Sequence, residues 1–138
     1  MTVVVDSDPA RADVHFLTER IDEFNFAETG IRDGREFASF VRDATGRIAA
    51  GIYGWTWGGC CDVRYLWVRE DLRRRGHGRA LLAAAEGEAR ARGCRQVVLE
   101  THSFQAPNFY RKHGYEIVSA YENYPAGHRK YHLRKHLL

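Results

Sequence analysis

No apolar run in this chain approaches the roughly 18 residues that a helix needs to cross a membrane, so no membrane-spanning role is expected. The opening residues, MTVVVDSDPA, carry no basic stretch and only a three-residue apolar run. A secretory leader is therefore not expected, and a cytoplasmic location is. Cysteine is scarce: Cys60, Cys61 and Cys94 only. An odd number with an adjacent pair makes no disulfide framework, and no C-x-x-C spacing offers a metal site. Small buried thiols are the expectation. Repeats, low-complexity stretches and linkers rich in Pro, Gly or Ser are also missing. The 138 residues are thus expected to form one domain, 1–138, with a real core. The 44% hydrophobic and 28% charged content is ordinary for a globular protein. A net charge of +3 is too small to claim nucleic acid by itself. Much of that excess sits in Arg73 to Arg79 and in the tail from His128 to Lys135.

One absence is local. From Arg73 to Ala80, RRRGHGRA, there is no Ser, Thr, Asp or Asn. An apolar helix begins here without a side chain to satisfy its first amides. The free N–H groups and the positive end of the helix dipole point to an anion, most simply a phosphate. Gly76 and Gly78 let the backbone approach such a ligand without a Cβ between. Two other phosphate motifs are excluded. A dinucleotide G-x-G-x-x-G would need glycine where Leu81 stands, and no G-K-[ST] is present for a P-loop.

The remaining pattern is mixed α and β. TVVV reads as a short first strand, and DSDP offers caps for a helix from about Pro9 to Phe26. Val14, Leu17, Ile21 and Phe24 recur there at helical spacing. REFASFVRD, RIAAGIYGWTW and DVRYLWV read as a three-strand meander joined by DATG and GG turns. Gly51 and Gly54 suggest bulges or a close backbone approach. The helix after the glycines runs from about Gly76 to Arg92, with Leu81, Leu82, Ala85 and Ala89 on its apolar face. Glu86 with Arg90 and Glu88 with Arg92 are read as i,i+4 pairs on its wet side, and Gly93 ends it. RQVVLET is a buried strand, parallel to DVRYLWV through this crossover. QAPNFYRKHG is a short helix closed by Gly114. YEIVSAYEN and HRKYHLRKHLL finish as strands around YPAG. In the last strand His128, Lys130, His132, Arg134 and His136 share one face. Lys130 and Arg134 among those histidines would repel a cation, so no metal is expected.

The stretch LWVREDLRRRGHGRALLAAAEGEARARGC resembles the GNAT superfamily of N-acetyltransferases. Arg73-x-x-Gly76-x-Gly78 matches the family's R/Q-x-x-G-x-G/A pattern for the pyrophosphate of acetyl-coenzyme A. Downstream, APNFYRKHGYE is similar to the family's FY-x-x-x-G-F/Y segment, in the same order and frame. The resemblance covers about residues 45 to 125. Two positions depart from it. His77 stands where an aliphatic residue is usual, and Ser103 where many members carry asparagine.

The resemblance implies an α/β fold: a mixed, twisted sheet of about seven strands with flanking helices and a splayed central parallel pair. It implies a bulge at Leu66, Trp67 and Val68 that parts this strand from Val97–Thr101 and exposes amides to the acyl donor. It implies an acetyl-coenzyme A site formed by Leu66, Trp67, Val68, Arg73, Arg74, Arg75, Gly76, His77, Gly78 and Arg79, with no metal. The reaction implied is acetyl transfer to a primary amine of a small molecule, protein or peptide, by direct attack in a ternary complex. Tyr110 would protonate the leaving thiolate. Glu100 is the candidate for taking the amine's proton, with His102 and Tyr124 near it. The family also admits a homodimer. The rival is a non-catalytic acyl-coenzyme A sensor or interaction module on the same fold. A nucleic-acid binder using the basic loop and tail would need a recognisable motif, and none is present.

Overall fold

The computed structural model describes all 138 residues. They fall into two compact units, Met1–Arg32 and Asp33–Leu138. The first unit is a single helix with its lead-in. Helix α1 spans Arg11–Thr29 and starts two residues later than the sequence suggests. The acidic residues before it do not cap it: the Asp8 amide donates to Asp6 Oδ1, and Ala10 occupies the N-cap. Gly30 closes it at φ 69°, donating its N–H to the Phe26 carbonyl. Thr2–Val5 form no strand. A short β-prone stretch becomes a strand only when a neighbour pairs with it, and no propensity supplies that neighbour.

The second unit is a six-stranded mixed sheet, one strand short of about seven. In chain order its elements are β1 (Arg35–Arg42), β2 (Ile48–Trp57), β3 (Cys60–Val68), α2 (His77–Ala91), β4 (Gln96–His102), α3 (Pro107–Lys112), β5 (Glu116–Glu122) and β6 (Arg129–His136). The sheet order is β1-β2-β3-β4-β6-β5. Only β3 and β4 are parallel, as the α2 crossover between them requires. The β2–β3 turn has Gly58 and Gly59 both at positive φ, 59° and 80°, the conformation of a two-residue hairpin turn that matches strand twist.

Helix α2 packs Leu81, Leu82, Ala85 and Ala89 against Ile52, Cys61, Val63, Val97, Leu99 and Leu133. Leu82, Ile52 and Leu133 are fully buried, each stabilising the fold by about 1.5–3 kcal/mol. Its polar face differs from the sequence reading at one place. Glu86 does not pair with Arg90 on the wet side. It is buried, accepts from the Tyr115 hydroxyl at 2.7 Å, and binds Lys135 Nζ at 2.9 Å. The turn from α3 into β5 brings Tyr115 onto this helix, a long-range contact that i,i+4 spacing cannot reveal. Glu88 and Arg92 do pair, at 2.9 Å. All three cysteines are free thiols, and burial pushes Cys61 up to about 12.

Candidate active-site cleft

The cleft begins with one extra residue. In the β2–β3 ladder Tyr53 pairs with Tyr65 and Gly54 pairs with Val63, so Arg64 bulges out between them. The resemblance places this bulge at Leu66–Val68; the structure has it at Arg64. Gly54 makes it possible, since a Cβ there would strike the Asp62 carbonyl and lie 2.8 Å from the Phe37 ring. An extra residue also reverses the facing of everything after it. Cys61 and Val63 point to the α2 side before the bulge, and Leu66 and Val68 do so after it. Tyr65 and Trp67 therefore turn outward, with Trp67 49% exposed.

The bulge also ends the parallel pairing. β3 and β4 are bonded from Cys60–Gln96 to Val63–Leu99 and no further. Beyond that point the two strands part, and a cleft of about 790 Å³ opens between Leu66–Val68 and Glu100–Thr101. Trp67, whose large ring would suit the core of a central strand, lines this cleft instead.

The glycine loop closes one end. Gly76 sits at φ 87° as the N-cap of α2, and Arg74 holds the left-handed region at φ 62°. A non-glycine residue there is strained, so the surrounding loop must hold it. Part of that hold is Arg73, whose Nε donates to the Val68 carbonyl at 2.9 Å. Arg69 adds a second anchor, bridging Asp43 and Asp71 at 2.9 and 2.6 Å. No side chain caps α2, and no acidic residue lies in its first turn. The first amides therefore face the cleft unsatisfied. Arg73, Arg74, Gly76, His77, Gly78 and Arg79 line it; Arg75 does not. Arg74 and Arg79 are exposed and make no hydrogen bond or ion pair within the chain.

Helix α3 forms the other wall. Phe109 and Tyr110 both line the cleft. Phe109 lies beneath Gly78, its ring 3.4 Å from where a Cβ would stand. The Tyr110 ring is 7% exposed and packs edge-on to Phe109 and Tyr115. Its hydroxyl has no hydrogen-bond partner in the chain, and burial pushes it up to about 12. It is a neutral O–H donor at neutral pH.

Glu100 lies on the opposite wall, at the tip of β4. Its carboxylate is 2.8 Å from Lys130 Nζ and 3.2 Å from His132 Nε2, both on β6. Lys130 holds it below the usual carboxylate range. The rings of His102 and Tyr124 meet at 5.8 Å, and Lys130 Nζ lies 4.5 Å above the Tyr124 ring. Glu100, His102 and Tyr124 therefore do cluster. Ser103, at the position where asparagine is common, ties β4 to β6: its amide donates to the Arg129 carbonyl and its Oγ accepts from the Arg129 amide. No sequence motif marks Phe104 or Gln105, yet both line the cleft. Gln105 Oε1 accepts from the His102 amide at 2.7 Å and so shapes the turn after β4.

A family model described as Acetyltransferase (GNAT) family matches residues 5–115. The chain belongs to this family. Blasticidin-S acetyltransferase of Streptomyces morookaense is 36% identical to this GNAT chain over 105 residues, 73% of it and 75% of that protein. Acetyltransferase Atu2258 of Agrobacterium fabrum is 29% identical over 117 residues, 85% and 82% of the two chains. The crystal structure of an acetyltransferase from Bacillus cereus ATCC 14579 superposes with a TM-score of 0.81 at 30% identity. It covers 97% of this chain and 98% of that one. The protein is thus an acetyl-coenzyme A-dependent acetyltransferase with a GNAT fold. No group of three His, Cys, Asp or Glu side chains stands together to hold a metal, and no helix is long and apolar enough to cross a membrane.

Proposed function

We propose that this acetyltransferase moves the acetyl group to a primary amine of a small molecule, by direct attack while both substrates are bound. One observation carries the reading. The uncapped start of α2, the parted β3–β4 strands and the partnerless Tyr110 hydroxyl all face one cleft. The residues fit the acyl donor. Amides of Gly76 to Arg79 would hold its diphosphate, helped by the helix dipole and by Arg74 and Arg79. Leu66, Trp67 and Val68 would lie along the extended arm, offering the backbone groups that the strand separation leaves unpaired. A backbone amide near Val68 would steady the oxyanion that develops on the carbonyl.

The amine must lose a proton and the departing sulfur must gain one. Tyr110 is suited to protonating the sulfur, because its burial keeps the proton on oxygen until a stronger base appears beside it. Glu100 is suited to drawing an ammonium into the cleft. Its depressed basicity makes it a weak proton acceptor on its own, so it hands the proton on through water. The name of the Streptomyces relative supports a small-molecule acceptor.

The test is thiol release from acetyl-coenzyme A with a panel of amines, with mass spectrometry of the products. Amine-dependent release with an N-acetyl product is the expected result. Binding of acetyl-coenzyme A without release for any amine or peptide would favour the non-catalytic module.

A further inference from the structure

A row of aromatic rings runs away from the cleft, starting at Phe104 on its wall. Phe104 stacks on His102 with ring centroids 5.2 Å apart. His102 meets Tyr124 at 5.8 Å, and Tyr124 stacks on Tyr121 at 6.2 Å. Tyr121 packs edge-on to His132 at 5.0 Å. These five rings, with His128 edge-on to Phe104 at 5.0 Å, form a continuous row from the turn after β4 along the β5–β6 hairpin. Phe104 and Tyr121 are each 57% exposed and Tyr124 is 49% exposed. Exposed rings side by side at the edge of a cleft offer a surface on which another ring can pack.

Its position says what binds. Phe104 lines the cleft at one end of the row. Glu100 lines it too, and ion-pairs with His132 at the other end. A ligand lying on the rings would therefore present its amine to Glu100 at the edge of the cleft. The charge pattern narrows the ligand further. Lys130 is taken by Glu100 at 2.8 Å, and Arg129 by Glu122 at 2.9 Å. The two cations beside the rings are thus neutralised, which suits a neutral or cationic ligand and not a polyanion. Ring faces are negative and ring edges positive, so they favour a second flat ring, offset-stacked or edge-on, over a saturated one of equal size.

Resting on the acetyl-transfer reading above, we infer that this row is the acceptor platform and selects amines borne on or next to a flat, unsaturated ring. Phe104, Tyr121 and Tyr124 supply the ring surface that stays exposed outside their own stacks and the Lys130 contact. Glu100, whose two carboxylate oxygens are shared with Lys130 and His132, stands at the end of the row where the amine would lie.

The experiment compares benzylamine with cyclohexylmethylamine, which share the reacting group and differ in the ring. Initial rates of thiol release give kcat/KM for each. The wild type is expected to favour benzylamine by about tenfold, the scale of one or two ring contacts. Tyr124→Leu and Tyr121→Leu should bring the ratio close to one, with calorimetric affinity for acetyl-coenzyme A unchanged. Tyr124→Phe keeps the ring and should keep the preference, which separates stacking from any part played by the hydroxyl. Equal kcat/KM for the two amines in the wild type would overturn the platform while leaving acetyl transfer standing. So would a preference that survives both leucine variants. Release with neither these nor any other amine would overturn both readings. Competition by a single-stranded oligonucleotide, lost as salt is raised, would assign the rings to nucleic acid instead.

Discussion

Lys130 Nζ lies 2.8 Å from the Glu100 carboxylate and 4.5 Å above the Tyr124 ring. An ammonium ion thus already sits between a carboxylate and an aromatic face at the rim of the cleft. An acceptor amine drawn to Glu100 would share that carboxylate with Lys130 and His132. Glu100 is held below the usual carboxylate range, first by the hydrogen bond from Lys130. It is therefore ionised throughout the neutral range; on the proposed reading its charge would draw in the ammonium and its oxygen would pass the amine's proton on to water.

Glu100→Gln removes that attraction without changing shape. The KM for the amine should rise about tenfold, and the pH of half-maximal rate should move upward, because the enzyme then depends on amine that is already neutral. Steady-state rates from about pH 6 to 10 in both proteins check this, a range that lies above the ordinary carboxylate value and runs up to that of the amine. A variant profile superimposed on the wild type would remove Glu100 from the proton path.

Gly78 tests the phosphate loop. Its added Cβ would meet the Phe109 ring at 3.4 Å and Val68 at 3.8 Å, which is ordinary contact. Gly78→Ala should therefore fold and bind nearly as wild type. Gly78→Val adds bulk over the open amides of α2. It should weaken coenzyme A binding by well over tenfold with the circular dichroism spectrum retained. Calorimetry with coenzyme A reads both, and unchanged affinity in the valine variant would sink the loop assignment.

Much of this is readable in the chain. Patterns that repeat within one element reveal its type and its buried face, as with Leu81, Leu82, Ala85 and Ala89. The R-x-x-G-x-G and FY segments place the loop and Tyr110 because the chemistry there is local. What the chain conceals depends on partners far apart in sequence. Thr2–Val5 have the composition of a strand, but a strand exists only through its neighbour. Glu86 has the spacing of a wet-face residue, yet Tyr115 and Lys135 reach it from the start of β5 and from β6. The bulge falls at Arg64 and not at Leu66–Val68 because it is set by Gly54 on the adjacent strand. The row of rings draws on three separate segments, and of its members only His102 and Tyr124 are linked by the resemblance.

Glu86 carries the main stability prediction. Its carboxylate is buried and accepts from Tyr115 and Lys135. Glu86→Leu would leave the Tyr115 hydroxyl without its partner inside the core, at a cost of about 2 kcal/mol. Glu86→Gln should cost less, since the amide oxygen can still accept one bond. Denaturant melts of the three proteins would show the order, and a leucine variant as stable as wild type would refute it.

The same network has a pH signature. Tyr115 is raised above its ordinary value by burial and then by Glu86, and Tyr110 by burial alone, up to about 12. Both groups bind their protons more tightly folded than unfolded. Their contribution is complete below about pH 10, the value for an unfolded tyrosine, and is lost as pH rises through the folded values. Stability should therefore fall steeply above about pH 10. Tyr115→Phe should flatten that fall, which melts at about pH 9 and about pH 11, either side of the unfolded value, would reveal.

The proposed protonation of the leaving sulfur rests on Tyr110. Its ring is buried against Phe109 and Tyr115, so the ring has a packing role whatever its hydroxyl does. Tyr110→Phe keeps the ring and removes only the partnerless O–H. The core should be undisturbed, with a melting temperature close to wild type and an acetyl-coenzyme A affinity nearly unchanged. Turnover should fall by roughly 10²-fold or more, the effect of losing one general acid. The pH profile gives a second check. A hydroxyl raised to about 12 stays protonated through the range where the amine becomes neutral, so Tyr110 contributes no falling limb there. The wild-type rate should rise with pH to a plateau, and the variant should follow the same shape at lower height. A donor is needed most when the departing thiolate is poor. Acyl donors with more acidic thiols should therefore narrow the gap between the two proteins. Equal turnover of wild type and Tyr110→Phe with acetyl-coenzyme A at every pH would make Tyr110 a packing residue and leave the sulfur to depart unprotonated.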